Sequence, residues 1–574
     1  MPILDPVWIK PASITKKTQD PLGLDRVSNR LTGDMLTGIT ALTTRARYYS
    51  FYVWVIKNIN ETENITRFDQ FENAFFDRER VYTMACIAHE QSGSNPKGDH
   101  SNIQGSQKGG AKWRESGAKL NMYGFRHLGN RLGGYGYYYQ ASIRNLGLTE
   151  QEQIRDVLTP LGRKLAEAFE KAILQTEYYR KFIGKDTITK SVLDEYGSRS
   201  CLCLLCKRDA PDRDILRDII FGMNPEAQGN RYHQNRQNTL ALILYDIYIL
   251  SQQSELLDDQ TFLDIAYFRQ FVSKRTARNC VFPSQVNGIL ERWKMFRSHD
   301  YFSYACESLF HAFLGALDIH RTTGLSFSEF ISLVDNAELV KELSSMLEVK
   351  LNVKSSKKVL LKDVLLQIVH LATGHKHHKF NSDISREFDS SCNLNSRINE
   401  QKLIAKLRNH FDSEEFNLSK STVWASLVLL LLYLRFYWRS KTKDMSWRLL
   451  ILRSESDLST SNLVFQLEHK LSNPNYTMFD FVSWIYKDYI LTQAISIYNQ
   501  KVGSSLYSRP ISWFHQDEKA YRVDRAYDPR FRNSRFYSCL TILNDLGLCR
   551  FTGNHYELTS DGVNLLMKLG TSVT

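Results

Sequence analysis

The sequence predicts a mainly α-helical protein built from several domains. Apolar residues recur at helical spacing over long stretches, notably Leu240–Leu250 and Tyr301–Leu317, and segments with strand-like alternation are few. A chain of 574 residues is several times longer than the usual domain of roughly 100 to 200 residues. We therefore expect three or four packed units rather than a single core.

Composition excludes a largely disordered chain and favours an anionic partner. Hydrophobic residues make up 43% and charged residues 24%, which is ordinary for globular proteins. Lys and Arg number 74 against 62 Asp and Glu, giving a net charge of +12. This excess favours nucleic acid as a partner, and a basic solvated surface is the alternative explanation.

We recognise neither a secretory signal nor a membrane-spanning helix in the sequence. We therefore expect a cytoplasmic protein without a membrane partner. Met1–Lys10 lacks the charged start and apolar stretch of a secretory signal. The longest apolar run, Val423–Leu434, falls short of the ~20 residues that a spanning helix needs, so we interpret it as a buried helix. The nine cysteines are scattered, which favours reduced thiols.

The N-terminal part combines an aromatic helix with a basic polar segment. Arg45–Asn58 is too apolar for a solvated face and predicts a core helix, and Phe68–His89 predicts an amphipathic one. Gly93–Gly117 is rich in Gly and Ser and predicts a flexible surface loop. Its Lys108, Lys112 and Arg114 could follow a phosphate backbone, and a mobile insertion is the alternative. A Gly-Tyr cluster at Gly133–Tyr139 then precedes a predicted strand over Ala141–Leu148.

Changes in composition predict boundaries near residues 180, 375 and 505. The expected domains are an N-terminal domain over 1–180, a central helical domain over 181–375, a second helical domain over 376–505 and a terminal module over 506–574. The polar region His375–Ser396 predicts the linker that follows the second boundary.

The terminal module carries the most specific fold signal. Apolar residues at Phe536, Leu540, Leu543 and Leu546 line one face of a helix, which Gly547 ends. Leu548–Phe551 and Tyr556–Leu558 predict strands around a Gly-Asn turn. Thr559 can then cap a closing helix. Helix, hairpin and closing helix in this order predict a winged helix.

The same pattern recurs earlier at a constant offset. Leu546-Gly547-Leu548 and Leu558-Thr559 with Gly562 reappear as Leu146-Gly147-Leu148 and Leu158-Thr159 with Gly162. This echo suggests a second winged helix near residues 80–175. Leu-Thr-x-x-Gly is a common way to cap a helix, however, and Thr149–Asp156 is polar for a wing strand, so both interpretations stay open.

Winged helices bind DNA through a helix in the major groove, and they also bind proteins. Arg530, Arg532 and Arg535 stand at the start of the predicted helix and could contact phosphates. Phe531, Phe536 and Tyr537 offer an apolar surface for a protein partner instead.

Motifs of known chemistry do not appear in the sequence. It contains no Gly-x-x-x-x-Gly-Lys-Ser/Thr loop, no Gly-x-Ser-x-Gly elbow and no His-Glu-x-x-His helix. We assign no catalytic residue, cofactor or small-molecule substrate. Cys201, Cys203 and Cys206 could hold a metal, but they alternate with leucines like buried thiols, so no metal site is assigned.

Two further polar features of the sequence each have two possible roles. The His375–Lys379 segment could bind metal or phosphate through its histidines or through Lys376 and Lys379, and a solvated basic loop is the alternative. Glu307 lies on an otherwise apolar helix. It could be catalytic, or it could be a buried carboxylate paired with an arginine, which is the commoner arrangement.

The N-terminal segment carries a resemblance to a known group of proteins. Thr37-Gly38-Ile39-Thr40 is followed by Thr44-Arg45-Ala46-Arg47-Tyr48-Tyr49-Ser50-Phe51 and Trp54. This arrangement resembles uncharacterised bacterial proteins of antiviral and anti-plasmid defence islands, in which a Thr-Arg-Ala-Arg-Tyr stretch runs into Phe and Pro-Trp. Val53 stands here where those proteins have Pro. The resemblance extends loosely to Phe169, about a quarter of the chain.

The resemblance implies an accessory subunit that works beside a separate nuclease and an SMC-type ATPase, as in Lamassu-like systems. A chain with winged helices toward both ends is also similar in plan to the kleisin subunits that bridge SMC heads, an analogy on fold alone.

The two arginines of the resembling segment have a structural and a binding interpretation. Arg45 and Arg47 lie two residues apart and cannot share one helical face, so at most one is expected to point into the core. A buried arginine needs a carboxylate or several carbonyl groups. Either one could contact nucleic acid if exposed, and either could anchor the aromatic core if buried.

Two functions of different classes follow. The first is a non-enzymatic adaptor that binds DNA and bridges an SMC-like ATPase and an effector nuclease. The second is a metal-dependent nuclease with an unrecognised site, for which several convergent acidic groups would be needed. The sequence favours the adaptor because no such acidic set can be assembled from it.

Overall fold

A computed structural model describes residues 20–91, 99–129, 132–152, 155–225, 229–274, 276–413, 416–442, 458–504 and 512–570. This part of the chain contains 22 α-helices and ten short strands, so the mainly α prediction is confirmed. Met1–Lys10, in which we recognise no secretory signal, lies outside the described residues.

Helices account for most of the described residues. The first ten helices are α1 Asp25–Met35, α2 Arg47–Thr62, α3 Phe68–Gln91, α4 Ser106–Glu115, α5 Gln140–Asn145, α6 Pro160–Ile173, α7 Lys190–Ser200, α8 Arg213–Ile220, α9 Arg231–Ser251 and α10 Asp259–Phe268. The others are α11 Asn287–Ile319, α12 Phe327–Val334, α13 Ala337–Met346, α14 Leu361–Thr373, α15 Ser382–Ser391, α16 Glu400–Asp412, α17 Leu418–Ser440, α18 Thr460–Lys470, α19 Met478–Trp484, α20 Gln493–Ser504, α21 Phe536–Asp545 and α22 Ser560–Lys568.

The described strands pair two by two, always antiparallel. The pairs are β1 Lys119–Asn121 with β4 Thr187–Thr189, β2 Thr149–Gln151 with β3 Asp156–Leu158, β5 Gln270–Ser273 with β6 Thr276–Asn279, β7 Phe514–Asp517 with β8 Ala520–Val523, and β9 Cys549–Phe551 with β10 Tyr556–Leu558. Short π-helical segments occur at Tyr135–Tyr139, Tyr178–Phe182 and Ile485–Thr492.

The described residues form two compact units, each assembled from three segments of the chain. The first unit contains residues 20–31, Asp264–Asn279 and Trp293–Arg532. The second unit contains Thr32–Leu263, Cys280–Arg292 and residues 533–570. Each unit therefore joins parts of the chain that are distant in sequence. The domain boundaries near residues 180, 375 and 505 stay predictions.

Helix α17 of the first unit contains the apolar run Val423–Leu434. Of the described helices, it alone is long and apolar enough to cross a membrane by length and composition, and 83% of that stretch is buried inside the protein. The predicted buried helix over Val423–Leu434 is confirmed, and it extends beyond this run at both ends. Arg435 is buried within the helix, where its guanidinium donates to both carboxylate oxygens of Glu400, at 2.8 and 3.0 Å.

Helix α2 lies at the centre of the second unit, as the predicted aromatic core helix requires. Its residues from Arg47 to Ile59 are all buried. The ring of Phe51 stacks on Tyr82 of α3 with centroids 3.9 Å apart and meets Phe169 of α6 edge-on at 6.0 Å. Aromatic contacts of this kind add to the free energy gained from burial. They join α2, α3 and α6.

The prediction of a flexible loop over Gly93–Gly117 is wrong for most of the described residues in this range. Residues Ser106–Glu115 form α4, which packs on α3. A Cβ at Gly109 would lie 2.6 Å from Cδ1 of Ile87, so this glycine lets the two helices approach closely. The glycine content that suggested a loop therefore serves helix packing instead.

A four-element arrangement of helix, hairpin and helix occurs twice in the second unit. The elements α5, β2, β3 and α6 form the first copy, and α21, β9, β10 and α22 form the second. Thr149 pairs with Leu158 in the first hairpin, and Cys549 pairs with Leu558 in the second. The helix, hairpin and helix predicted at the end of the chain are all present.

Equivalent residues make equivalent hydrogen bonds in the two copies. The capping hydroxyls of Thr159 and Thr559 each donate to a glycine carbonyl at 2.7 Å and accept an amide N–H at 3.1 and 3.2 Å. A Cβ at Gly162 or Gly562 would lie 2.0 or 2.1 Å from the carbonyl oxygen of a leucine. Only glycine fits there, so the repeated Leu-Thr-x-x-Gly pattern marks a repeated local structure.

Two expectations about the first copy are corrected. Ala141–Leu148 is not a strand, because its first five residues belong to α5. The polar stretch from Thr149 does form the hairpin that its composition argued against. Asp156 is buried there, accepting from Tyr135 Oη at 2.6 Å and from Nη2 of Arg144 at 2.7 Å. A polar strand is stable at this point because its buried carboxylate is paired.

Helix α9 contacts α21, β10 and α22 of the second copy and contains a buried carboxyl group. Asp246 is fully buried, and neither of its oxygens has a hydrogen-bond partner among the described residues. Burial raises the pKa of Asp246 well above 3.8. The folded protein therefore binds a proton that the unfolded chain releases in weakly acidic solution.

We expect Asp246→Asn to become progressively more stabilising, relative to wild type, as pH rises from about 4. The raised pKa favours the folded wild type only in acid, and each pH unit up to the folded pKa removes up to about 1.4 kcal/mol. Thermal unfolding of both proteins at about pH 4 and about pH 7 measures the difference. Asp209→Asn, at an exposed carboxyl, is the matched control. An equal shift of the midpoint at both pH values would contradict the assignment.

Candidate functional site

The second helix–hairpin–helix copy borders a cleft of about 680 Å³ in the second unit. Two arginines fix its rim. Nη2 of Arg208 and Nη2 of Arg213 donate to the two oxygens of Asp561, at 2.8 and 2.6 Å. Nε of Arg213 also donates to the carbonyl oxygen of Leu546, at the end of α21, at 2.9 Å. The hydrogen bond from Arg213 lowers the pKa of Asp561, so this carboxylate stays charged.

Arg45 lines the same cleft but is fully buried and paired. Its Nε and Nη2 donate to the two oxygens of Asp545 at 3.0 and 2.9 Å. Nη1 and Nη2 also donate to the carbonyl oxygens of Ser101 and Asp99, at 2.7 and 3.0 Å. Burial lowers the pKa of Arg45, but the charge of Asp545 more than offsets this, so Arg45 stays protonated.

Arg47 is buried in the same way, which corrects the expectation that at most one of the pair points into the core. Its Nη2 and Nε donate to Asp212 at 3.1 and 3.3 Å, and its guanidinium lies 5.4 Å from the ring centroid of Phe169. The expectation assumed that both arginines lie on one helix. In fact α2 begins at Arg47, and Arg45 precedes it. Both arginines anchor the aromatic core, and both have the carboxylate that burial requires.

Each of the three arginines predicted to contact phosphates at the terminal module also donates a hydrogen bond within the protein. Nη2 of Arg530 donates to Asp25 at 2.8 Å. Arg532 is buried and donates to Oε1 of Glu307 at 2.6 Å. Arg535 directly precedes α21, and its Nη1 donates to the carbonyl oxygen of Ile39 at 2.8 Å. Only Arg530 of the three is exposed.

Glu307 is a structural carboxylate, the second of the two roles open to it. It accepts from Nη2 of Arg532, from the hydroxyl of Tyr527 at 2.5 Å and from the backbone N–H of Arg530 at 3.0 Å. Burial raises its pKa, and Arg532 acts in the opposite direction. With three donors on its two oxygens, Glu307 holds the segment Tyr527–Arg532 within the first unit.

The predicted basic residues of the former loop lie on a surface that we call the α4 face. It comprises Lys108, Lys112, Arg114, Lys119 and Lys190. Lys108, Arg114 and Lys119 are exposed, and Lys112 and Lys190 are half-buried. Among the described residues, none of the five forms an ion pair with a carboxylate. Three of these cations thus lie on α4, and the other two lie on β1 and at the start of α7.

Strand pairing and aromatic rings assemble the α4 face. The backbone N–H of Lys190 donates to the carbonyl oxygen of Ala118 at 2.9 Å, beside the β1–β4 pair that carries Lys119. Nζ of Lys190 lies 4.5 Å from the ring centroid of Trp113, and Nζ of Lys112 lies 5.6 Å from that of Phe125. Sequence reasoning missed Lys119 and Lys190 because about 70 residues separate them and no motif links them.

Lys376 and Lys379 are exposed in the first unit, between α14 and α15. The histidines beside them face a carboxylate: Nδ1 of His375 lies 2.6 Å from Glu387, and Nε2 of His377 lies 3.5 Å from it. This arrangement suits a solvated basic loop.

The cysteine group predicted as buried thiols divides into two parts. Cys201 and Cys203 are buried and lie together with His89 and His100. Cys206 is exposed, lines the cleft and donates to the carbonyl oxygen of Cys203 at 3.2 Å. Burial raises the pKa of Cys201, and Cys201 together with burial raises that of Cys203.

Comparison of the chain with protein-family models, with curated proteins and with solved structures finds no match.

We expect Arg45→Met to lower the free energy of unfolding by about 3–5 kcal/mol, because it leaves Asp545 buried without a counter-charge. Asp545→Leu should also be destabilising. The double variant Arg45→Met/Asp545→Leu should lose clearly less than the sum of the single losses, because it removes both charges. Urea unfolding followed by circular dichroism measures all three. Arg550→Met, at an exposed arginine, is the control. Additive losses would contradict direct coupling.

Proposed function

We propose that this chain is a non-enzymatic cytoplasmic subunit that binds DNA through the α4 face and docks partner proteins through a terminal winged helix. The observation that supports DNA binding is the set of five cations of the α4 face, none of which has a carboxylate partner among the described residues. Elsewhere in the described chain, the predicted DNA contacts at Arg45, Arg47 and Arg532 are used within the fold.

The geometry of the α4 face suits a phosphate backbone. Lys108 and Lys112 lie one turn apart on the same side of α4. Trp113 of α4 is half-exposed beside Lys190, where an aromatic side chain can also contact sugar or base. Phosphate neutralisation by lysine and arginine provides affinity without sequence preference. We therefore propose binding that is sensitive to salt and tolerant of sequence.

The terminal copy of the helix–hairpin–helix has a different surface. Arg535, Arg550 and Lys568 are balanced by Asp545, Glu557 and Asp561, so the module carries no excess of positive charge. Its side chains Tyr537 and Phe551 are exposed to 63% and 52%. Exposed aromatic residues are typical of protein interfaces. We propose that both copies are winged helices and that the terminal one is a docking surface.

The partners follow from the resemblance of the segment Thr44–Phe51. It supports the proposal of an accessory subunit in a bacterial antiviral or anti-plasmid defence complex, with an SMC-like ATPase and an effector nuclease encoded nearby. In a kleisin-like arrangement the chain would bridge them. Plasmid cleavage by the purified chain with Mg²⁺ or Mn²⁺, abolished by alanine at one acidic residue, would instead favour a nuclease.

We expect Lys108→Ala/Lys112→Ala/Arg114→Ala to weaken duplex DNA binding and flatten its salt dependence. Each phosphate that the variant no longer neutralises should reduce the slope of log K against log salt by about 0.9. Fluorescence anisotropy with a labelled duplex at several salt concentrations measures this.

The matched control for this experiment is Lys376→Ala/Lys379→Ala, which removes two exposed cations of the first unit. Arg532→Ala is unsuitable because it leaves Glu307 buried without its counter-charge. The DNA-binding proposal is contradicted if the triple variant binds like wild type at every salt concentration.

We expect Phe551→Asp to abolish co-purification with a protein encoded by a neighbouring gene, because it places a charge in an apolar contact. Co-expression of tagged chain and neighbour, followed by affinity purification, gives the readout. Val272→Asp is the control, since Val272 is a strand residue of equal exposure, 52%, in the first unit. Retention of the partner by both variants would exclude this surface as the docking site.

A further inference from the structure

Four side chains with metal-binding atoms meet in the second unit: His89, His100, Cys201 and Cys203. Their donor atoms all lie within 4.8 Å of one another. Nδ1 of His89 is 3.2 Å from Nε2 of His100 and 3.5 Å from Sγ of Cys203. Around tetrahedral Zn²⁺ with ordinary bond lengths, two nitrogens are about 3.3 Å apart and nitrogen and sulfur about 3.6 Å apart. The two distances fit this geometry.

Packing of two helices brings three of these residues together. His89 lies in the last turn of α3, and Cys201 and Cys203 follow directly on α7. A Cβ at Gly197 of α7 would lie 2.2 Å from the carbonyl oxygen of Ala85 and 3.0 Å from Cβ of His89. This glycine therefore allows the close approach that places both cysteines beside His89.

The fourth residue is held in place from both sides. Arg45 donates to the carbonyl oxygens of Asp99 and Ser101, the two neighbours of His100. The ring of His100 lies with its centroid 5.3 Å from that of His89. The position of His100 thus depends on the ion-paired Arg45 as well as on contacts within the group of four possible ligands. Preorganised donors of this kind are what a metal site requires.

We propose that His89, His100, Cys201 and Cys203 bind one Zn²⁺ ion in a closed, structural site. Two imidazoles and two thiols whose donor atoms lie within 4.8 Å of one another favour zinc among the common divalent ions. On binding, the two thiol protons leave to solvent, two Zn–S and two Zn–N bonds form, and no electrons are transferred. Four protein ligands leave no position for a water nucleophile. The ion would therefore join α3, the segment after α7 and the segment before α4, independently of the proposed binding function.

Elemental analysis of the purified full-length chain tests the proposal. We expect about one zinc per chain, retained through gel filtration, and near-complete loss in Cys201→Ser/Cys203→Ser. Cys206→Ser is the matched control, because this cysteine is close in sequence, exposed and outside the group. His375→Ala controls for the group of His375, His377 and Glu387 in the first unit and should also retain the metal.

Cobalt substitution gives a second readout that needs no variant. The chain purified from cobalt-supplemented medium should show the intense visible bands of tetrahedral Co²⁺ and a near-ultraviolet thiolate-to-metal band. This spectrum decides the question even if the double serine variant does not fold.

Three results would overturn the proposal. The first is wild-type protein that holds neither zinc nor cobalt after purification, in which case the four groups are only hydrogen-bonded. The second is metal content unchanged in a folded double serine variant. The third is a Cys201–Cys203 disulfide found by alkylation and mass spectrometry in metal-free, folded protein. Loss of DNA binding by the α4 face variant with full zinc content would leave the metal site standing and separate the two proposals.

Discussion

The ion pair between Arg45 and Asp545 is the constraint on which the second unit depends. The two residues are 500 positions apart, and both are buried. A buried guanidinium is strongly unfavourable unless a carboxylate and further acceptors surround it. The terminal segment must therefore be in place before Arg45 is satisfied, and so must the carbonyl groups of Asp99 and Ser101. Three distant parts of the chain consequently fold as one unit.

Buried arginines are paired with carboxylates in the cores of both units. In each case a buried arginine donates to a buried carboxylate from another part of the chain: Arg47 to Asp212, Arg297 to Asp264, Arg435 to Glu400 and Arg532 to Glu307. Arg236 differs, since among the described residues its guanidinium donates only to backbone carbonyl groups, and burial lowers its pKa to about 10. Replacing such pairs with apolar residues is often neutral, whereas removing one partner alone is strongly destabilising.

Local signals in the sequence predicted local structure well. The spacing of Phe536, Leu540 and Leu543, with Thr559 as a cap, was enough to predict α21 and α22 because these signals act within a few residues. The burial of Arg45 and Arg47, and the meeting of His89 with Cys203, depend on partners more than a hundred residues away. Such pairings leave no periodicity in a single sequence. The prediction of a loop around Gly109 was wrong for a related reason. In a single sequence, a glycine that permits helix packing cannot be distinguished from a glycine in a loop.

The two helix–hairpin–helix copies show how one scaffold can carry two surfaces. The positions that fix the backbone are the same, namely the capping threonine and the glycine that approaches a leucine carbonyl. The hairpin positions differ: Glu150, Gln151 and Asp156 of the first copy correspond to Arg550, Phe551 and Tyr556 of the second. In the first copy, Asp156 ties the hairpin to Arg144 within the same copy. The second has Tyr556 at that position instead of a carboxylate, and it exposes the aromatic ring of Phe551.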